Sequence, residues 1–411
     1  MAVTAPHPAA AQSAAPVPRV RPRIQSVDLV RGIVMVIMAL DHVRDFFHNG
    51  AQLYSPEDLT HTSVAIFLTR WITHFCAPVF VFLAGTGSSL AMRRGMSKAA
   101  LSRFLWTRGL WLVVVEMTLV LLGGSFNLSY RVVVWQVIWA IGWSMVALSA
   151  LIFLPWRTLL VLSLAMIAGH NLLDGIRSEN LSSLGWAWKI LHEGPSIVQL
   201  PGGRIAFAVY PLIPWIGVMS AGYCFGRVFD LESDDRRRFL MVTGLALTAA
   251  FVVLRLVNMY GDPSPWAPQS SFDVTLLSFL RVSKYPPSLM FLLVTLGPAF
   301  VALSALERVT VSDRNPFLIF GRVPLFYYVI HWYAIHVTAI GLAWMRYGRF
   351  DFMFDFPPSL LGPPTEYPSG YGYDLWIVYV IWLAIVAALY PLCRWFAGVK
   401  ARNRSVWLSY L

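Results

Sequence analysis

A cluster of charged residues at the end of an apolar segment constrains this chain more than any other feature. Residues 23–48 read RIQSVDLVRGIVMVIMALDHVRDFFH, and the stretch from Gly32 to Leu40 contains no charge. Two Asp, two His and one Arg then follow within about two helical turns. A charged side chain in the hydrocarbon of a bilayer costs at least about 2.5–3.5 kcal/mol on insertion scales. The segment therefore predicts a polar site inside a membrane protein, and the wet outer end of a span is the alternative.

The spacing of these residues predicts a general base. Asp41, Asp45 and His48 stand at positions i, i+4 and i+7 and form one stripe on a helix. His42 lies three residues before Asp45, so Asp45 can reach either histidine. A carboxylate beside an imidazole holds its tautomer and raises its basicity. We therefore predict four catalytic residues, with one of the two histidines as the base: Asp41, His42, Asp45 and His48.

The composition predicts that the whole chain is a polytopic membrane protein. Its 411 residues are 57% hydrophobic and 13% charged, whereas a soluble protein usually has about 25% charged residues. Apolar segments of roughly 20 residues are long enough to span a bilayer. The fold class expected is all-α, a membrane helix bundle with about ten spans: 29–48, 63–92, 104–123, 131–154, 157–173, 205–228, 239–258, 287–305, 315–344 and 374–398.

Charge placement predicts the orientation of the bundle. Segments rich in Lys and Arg, such as 93–103, 227–238 and 394–404, alternate with loops that are poorer in them, such as 49–62 and 174–204. By the positive-inside rule, both termini lie in the cytoplasm. This topology explains the net charge of +11, so we expect the lipid bilayer as a partner and no nucleic acid.

The domain organisation predicted is simple. Residues 1–22 are rich in Ala and Pro and are expected to form a disordered cytoplasmic tail. Residues 23–411 are expected to form a single transmembrane domain, with no convincing internal repeat. The three cysteines, Cys76, Cys224 and Cys393, are scattered and odd in number, which predicts reduced thiols and no disulfide framework.

Polar residues of other spans are expected at the same depth as the first cluster. A rise of about 1.5 Å per residue brings five histidines of three spans into the outer half of the bilayer: His42, His48, His74, His331 and His336. We predict supporting roles for Arg44, Arg70, His74 and His331. Taken singly, His74 or His331 is as readily a core histidine bonded to a backbone carbonyl. No HExxH pair is present, and the sequence predicts no metal site.

The cytoplasmic half has a different character. The segment FLAGTGSSLAMRRG contains Gly85 and Ser88, small residues that would admit a slim thioester arm or, alternatively, a neighbouring helix. Four arginines are candidates to hold phosphates there: Arg31, Arg93, Arg94 and Arg322. Lipid headgroups are the alternative ligands of such arginines, and an i,i+3 ion pair with Asp28 is the alternative for Arg31.

Several of these motifs together resemble one known family. The opening RxxSxDxxRG, formed by Arg23, Ser26, Asp28, Arg31 and Gly32, resembles the heparan-alpha-glucosaminide N-acetyltransferase catalytic domain family. The FCAPVFVFLAGTGSSLAMRRG and GRVPLFYYVIH segments resemble it too, and LDHVRDFF is similar to its bacterial branch. The resemblance runs from about residue 23 over nearly the whole chain and is strongest over 23–110.

The resemblance implies a multi-span membrane enzyme in the bacterial inner membrane. Such an enzyme takes acetyl from acetyl-CoA, its co-substrate on the cytoplasmic side, and delivers it to an amino sugar or another envelope glycan outside. The family places a catalytic histidine at the outer end of the first span. Counted from the Arg31–Gly32 pair, His48 is the nearer match to that histidine, but His42 is deeper and close to Asp45, so His42 is the favoured base.

Two other classes of function remain open at this stage. Intramembrane Asp, His and Arg also occur in the proton relays of proton-coupled transporters, although such folds often contain repeats. A non-catalytic membrane scaffold is the second alternative. The sequence leaves open the acceptor, the acyl chain, covalent or direct transfer, and whether the protein is a homo-oligomer.

Overall fold

The computed structural model describes residues 24–354 and 367–403, together with Ser405, Leu408 and Tyr410. The predicted disordered tail, residues 1–22, lies outside the described residues, as do residues 355–366. The helices, in chain order, are α1 Gln25–Phe47, α2 Val64–Ile72, α3 Cys76–Arg93, α4 Lys98–Val115, α5 Leu121–Ser125, α6 Val137–Leu151, α7 Trp156–Gly169, α8 Gly185–Leu191, α9 Leu212–Phe225, α10 Ser233–Val257, α11 Phe272–Leu280, α12 Leu289–Leu306, α13 Pro316–Arg322, α14 Pro324–Tyr347 and α15 Leu375–Arg402.

The predicted all-α membrane bundle is confirmed. Among the described residues, eight helical segments are long and apolar enough to cross a membrane: Val64–Arg93, Lys98–Ser125, Trp156–Leu173, Leu212–Asp230, Ser233–Val257, Leu289–Leu306, Pro324–Tyr347 and Leu375–Arg402. Two of the ten predicted spans, α1 and α6, are not among these eight. Helix α6 has only 15 residues. Helix α1 has 23 residues but carries three Asp and two Arg.

A small sheet replaces parts of two predicted spans. Strands β1 (Val132–Trp135), β2 (Ser196–Leu200) and β3 (Arg204–Ala208) lie in the order β1-β3-β2. Strand β3 is parallel to β1 and antiparallel to β2. The predicted spans at 131–154 and 205–228 therefore begin too early, because a short apolar run fits a buried strand as well as a helix.

Helix α1 lies at the centre of the bundle, against α3, α12, α13, α14 and α15. Its contact with α13 is a direct approach of two backbones. A Cβ atom on Gly32 would lie 1.7 Å from the carbonyl oxygen of Phe317, and one on Gly321 would lie 1.8 Å from that of Asp28. Small residues of this kind let membrane helices pack closely, and this contact fixes the start of α1.

The two ends of the bundle differ in their polar contacts. At the end where α1 begins, Ser26 Oγ donates to Glu307 Oε1 (2.8 Å) and Arg236 Nε donates to Glu307 Oε2 (2.8 Å). We call this the basic end; charge placement predicts that it faces the cytoplasm. At the opposite end α1 stops beside Tyr373, whose backbone pairs with His48. We call this the sheet end.

A buried acid lies beside the start of α6. Helices α4 and α5 are joined by a π-helical turn, Glu116–Val120, in which Glu116 is only 2% exposed. The backbone N–H groups of Gln136, Ile138 and Trp139 lie near its carboxylate. Because the first N–H groups of a helix have no intrahelical acceptor, a carboxylate in this position is a favourable neighbour for the start of α6.

The contact between α1 and α13 gives a stability prediction. Gly32→Ala places a methyl group against the Phe317 carbonyl, and overpacking of this kind typically costs about 1–3 kcal/mol. We expect a lower unfolding temperature for the detergent-purified variant. Gly341→Ala is the matched control, since nothing lies within 4 Å of a Cβ atom at Gly341. Equal unfolding temperatures for the two variants would contradict the packing described here.

Candidate active site

A cavity of about 450 Å³ lies toward the sheet end of the bundle. Helix α1 provides four of the predicted polar residues to its wall: Asp41, His42, Arg44 and Asp45. The loop after α1, the α2–α3 segment, β3, the turn before α12, the start of α6 and α14 also contribute to it, with Glu57, Arg70, Phe207, Lys284 and Tyr285 among the lining residues. We call this space the outer cavity. The structure thus brings one predicted cluster together with side chains from several other parts of the chain.

His42 is held by aromatic contacts. Its ring centroid lies 4.1 Å from that of Trp332 and 5.3 Å from that of His331. Within the described residues, neither ring nitrogen of His42 has a hydrogen-bond partner in the protein. An imidazole whose ring is held by packing, and whose nitrogens form no hydrogen bond with the protein, can accept a proton from a bound substrate.

His331 lies behind His42 in the core and is fully buried. Its Nδ1 donates to the carbonyl of Tyr328, which leaves Nε2 as the acceptor nitrogen. Nε2 has no hydrogen-bond partner among the described residues. His331 is absent from the lining of the outer cavity, so its geometry suits support of His42 rather than contact with a substrate.

Arginines, rather than histidines, pair with Asp41 and Asp45 near the end of α1. Arg44 Nη2 lies 3.1 Å from Asp41 Oδ1 and 2.5 Å from Asp45 Oδ1. Arg70 forms an ion pair with Asp41 as well. The predicted bond from Asp45 to a histidine is not found among the described contacts. Because paired charges are retained in a buried site where single ones are not, these residues form a rigid ionic wall beside His42.

Glu57 is a site residue that sequence analysis missed. It comes from the outer loop, and its Oε1 lies 2.7 Å from Nε2 of His74 and 4.0 Å from Nε of Arg70. Burial acts to raise the pKa of Glu57, but His74 and Arg70 outweigh it and lower the pKa to about 2. Glu57 is therefore ionised at neutral pH and anchors the loop over the cavity. A loop acid gives no periodic signal that would have predicted this.

Lys284 is the second missed residue. It is 7% exposed, lines the outer cavity, and its ammonium lies 5.3 Å from the ring centroid of Tyr285. Within the described residues it has no ion pair with a carboxylate. A lysine just before an apolar span is typically a snorkelling anchor, so the sequence does not single it out. In the structure it is a buried positive charge that faces the same space as His42.

Two other histidines have structural contacts. His48 Nδ1 accepts a hydrogen bond from the backbone N–H of Gly50 (3.1 Å), and His48 does not line the outer cavity. His336 is hydrogen-bonded through its two ring nitrogens to the carbonyls of Gly123 (3.0 Å) and Met353 (2.7 Å). The predicted convergence of five histidines therefore reduces to His42 and His331 in ring contact, with His74 beside Glu57.

A second cavity, of about 330 Å³, lies toward the basic end. Its walls are mainly apolar and come from α1, α3, α4, α6 and α14. Gly87 and Ser88 lie along it, and Arg31 and Arg108 are its charged lining residues. We call this space the inner cavity. Its apolar walls suit the uncharged part of a long, narrow ligand, and its two arginines suit a negatively charged end.

The two cavities share part of their walls. Phe80 and Val137 line both of them. On α14, Tyr328 lines the inner cavity and Trp332, one turn later, lines the outer cavity. The two spaces are therefore neighbours along α3, α6 and α14, and the Phe80 side chain lies at their boundary.

The remaining residues predicted to bind the co-substrate lie elsewhere. A Cβ atom on Gly85 would lie 1.9 Å from the Met219 carbonyl oxygen, so this glycine serves the packing of α3 on α9. Arg93 donates to the carbonyls of Gly226 (3.1 Å) and Phe229 (3.0 Å) and lines a separate cavity with Arg94. Arg322 donates to Asp313 Oδ1 (2.7 Å). Of the predicted set, only Arg31 and Ser88 line the inner cavity.

Similarity to a known protein family identifies the family of this chain. The family model described as "Heparan-alpha-glucosaminide N-acetyltransferase, catalytic" matches residues 23–259, more than half of the chain. The matched region includes α1, the outer loop, α3 and the sheet, whereas Lys284, His331 and Trp332 lie beyond it. Comparison with curated proteins gives no match. The chain belongs to the heparan-alpha-glucosaminide N-acetyltransferase catalytic family, a family of membrane acetyltransferases.

Proposed function

We propose that this protein moves an acetyl group from acetyl-CoA, bound from the basic end, to an amino sugar or envelope glycan bound in the outer cavity. The observation that carries the proposal is that the two cavities are neighbours with Phe80 and Val137 as shared wall residues. A donor in one cavity and an acceptor in the other would meet beside His42. The bacterial inner membrane is the proposed location.

The inner cavity suits the donor. Its apolar walls match the slim arm that carries the thioester, and guanidinium groups are good partners for phosphates. Arg31 is held in place because its Nη1 donates to Asp28 Oδ1 and to the Gly321 carbonyl, both at 3.2 Å. The guanidinium carbon of Arg108 lies 5.6 Å from the ring centroid of Phe104. These two arginines are the proposed phosphate contacts at the mouth.

The outer cavity suits the acceptor. Aromatic side chains provide flat apolar surfaces on which a sugar ring can lie, and the lining includes Tyr54, Tyr210, Tyr285 and Trp332. Charged groups between them, Glu57 and Lys284 among others, provide partners for the polar substituents of a sugar.

The proposed reaction is a direct acyl transfer. His42 takes the proton of the acceptor amine or hydroxyl, and the acceptor atom attacks the thioester carbonyl carbon. The carbon–sulfur bond then breaks, and the CoA thiolate leaves and takes up the proton from His42. Asp41 and Asp45 stabilise the transient imidazolium. Arg70 and Lys284 are the candidate groups for the oxyanion, a role that contributes about 2.7–4 kcal/mol in known enzymes.

The choice of base gives the first test of this function. General acid–base catalysis is worth about 10²–10⁴-fold, so His42→Ala should lower acetyl-CoA-dependent CoA release by at least about 100-fold. His48→Ala is the matched control, because His48 contacts Gly50 and lies outside the cavity. Purified protein is assayed with a panel of amino sugars and glycans. Full activity of His42→Ala together with loss in His48→Ala would overturn the assignment.

The boundary between the cavities gives a second test. Phe80→Trp adds bulk where donor and acceptor must meet, and we expect it to abolish CoA release, whereas Phe80→Leu keeps the passage open and retains activity. Both variants should bind acetyl-CoA in a calorimetric titration, because the inner mouth is unchanged. Wild-type turnover in Phe80→Trp would show that the acetyl group does not pass this point.

A further inference from the structure

A second cluster of potential metal ligands, two buried histidines and a half-buried aspartate, lies outside both cavities. His170 follows α7, Asp174 lies one turn later, and His192 follows α8. One potential ligand atom from each of the three lies within 4.8 Å of the others. Asp174 Oδ1 lies 3.6 Å from Nε2 of His192. The three residues are neither on one helix face nor in a known spacing motif, which is why the sequence did not indicate them.

Several of these atoms are buried without protein partners. His170 and His192 are 1% and 2% exposed. Within the described residues, both ring nitrogens of His170 and Oδ1 of Asp174 lack a hydrogen bond. A buried polar group left without a partner costs about 1–3 kcal/mol. Three such atoms in one place make this cluster a candidate to bind a ligand from solution.

Neighbouring side chains hold the cluster in position. Asn171 Nδ2 donates to Asp174 Oδ2 (2.9 Å), which leaves Oδ1 as the free oxygen of that carboxylate. The carbonyl oxygen of the Asn171 side chain accepts from the backbone N–H of Leu289 (3.0 Å). The indole of Trp188 stacks on His192 at 5.1 Å between centroids. Outer contacts of this kind orient the ligands of metal sites.

We propose that His170, Asp174 and His192 bind one divalent transition metal, with zinc as the ion of choice. Two imidazoles and one carboxylate are a ligand set that zinc uses, and three protein ligands leave a fourth position for water. With bonds of about 2.0–2.1 Å, ligands in a tetrahedron lie about 3.3 Å apart, so a small closure of the cluster suffices. His192 Nε2, now 2.7 Å from the His170 carbonyl, gives up that hydrogen bond on metal binding.

Such an ion would link two segments near the sheet end of the protein. It joins the end of α7 to the end of α8, and the chain then runs into Pro195 and the sheet. Pro195, Phe207 and Val209 line the outer cavity. The metal would therefore stabilise a segment that leads into the wall of the outer cavity. The proposed metal site does not depend on the proposed reaction.

The test uses the full-length protein in detergent, stripped with a chelator and then titrated with zinc chloride. We expect about one zinc per chain after removal of free metal, measured by elemental analysis, and a rise of several degrees in unfolding temperature, because a ligand of the native state stabilises it. A wild-type protein that retains no zinc and shows no shift overturns the proposal.

Matched variants assign the signal to these residues. Asp174→Asn keeps the size of the side chain while removing the ligand charge, so the fold should persist. Loss of even an outer partner typically weakens metal binding about 10–100-fold, and we expect Asp174→Asn and His192→Ala to lose zinc affinity at least ten-fold. His61→Ala, which alters an exposed histidine paired with Asp58, should bind zinc like the wild type. Equal zinc shifts in Asp174→Asn and wild type would refute the site.

Discussion

The ionic wall on α1 is the interaction on which the rest of the structure depends. Isolated charges at this depth would cost several kcal/mol each, and removing one partner of a buried pair is strongly destabilising. Asp41 and Asp45 are tolerated because Arg44 of the same helix and Arg70 of α2 neutralise them. Arg70 in turn lies 4.0 Å from Glu57, which brings the outer loop down onto the helices. The pairing requirement therefore determines where the outer cavity forms and which segments cover it.

The polar residues that α1 and α2 contribute to the outer cavity could be predicted, because charged residues within an apolar segment can be recognised from the sequence alone. Asp41, His42, Arg44, Asp45 and Arg70 all line the outer cavity as their depth predicts. The pairing of the charges could not be predicted, because helical spacing allows both Asp–His and Asp–Arg contacts. The structure shows the second kind.

Other parts of the site depend on tertiary contacts that carry no local pattern. Trp332 contacts His42 from a helix nearly three hundred residues later in the chain. Gly85 and Ser88 are three residues apart, yet Gly85 packs on α9 and Ser88 lines the inner cavity. Which face of a small-residue helix meets a ligand depends on where the neighbouring helices lie. The three-stranded sheet and the His170 cluster likewise form only when distant segments of the chain come together.

We propose that a donor from the basic end reaches His42 past the Phe80 side chain. The most direct measurement is an electron cryomicroscopy structure with a non-hydrolysable acetyl-CoA analogue. If this proposal is right, the phosphates lie near Arg31 and Arg108, the arm runs along the inner cavity, and the acyl carbonyl lies beside His42. Once an acceptor is bound, its attacking atom should lie roughly 3–3.5 Å from the carbonyl carbon, as in a near-attack geometry. An analogue bound instead in the cavity of Arg93 and Arg94, with its acyl end outside the Phe80 boundary, would contradict it.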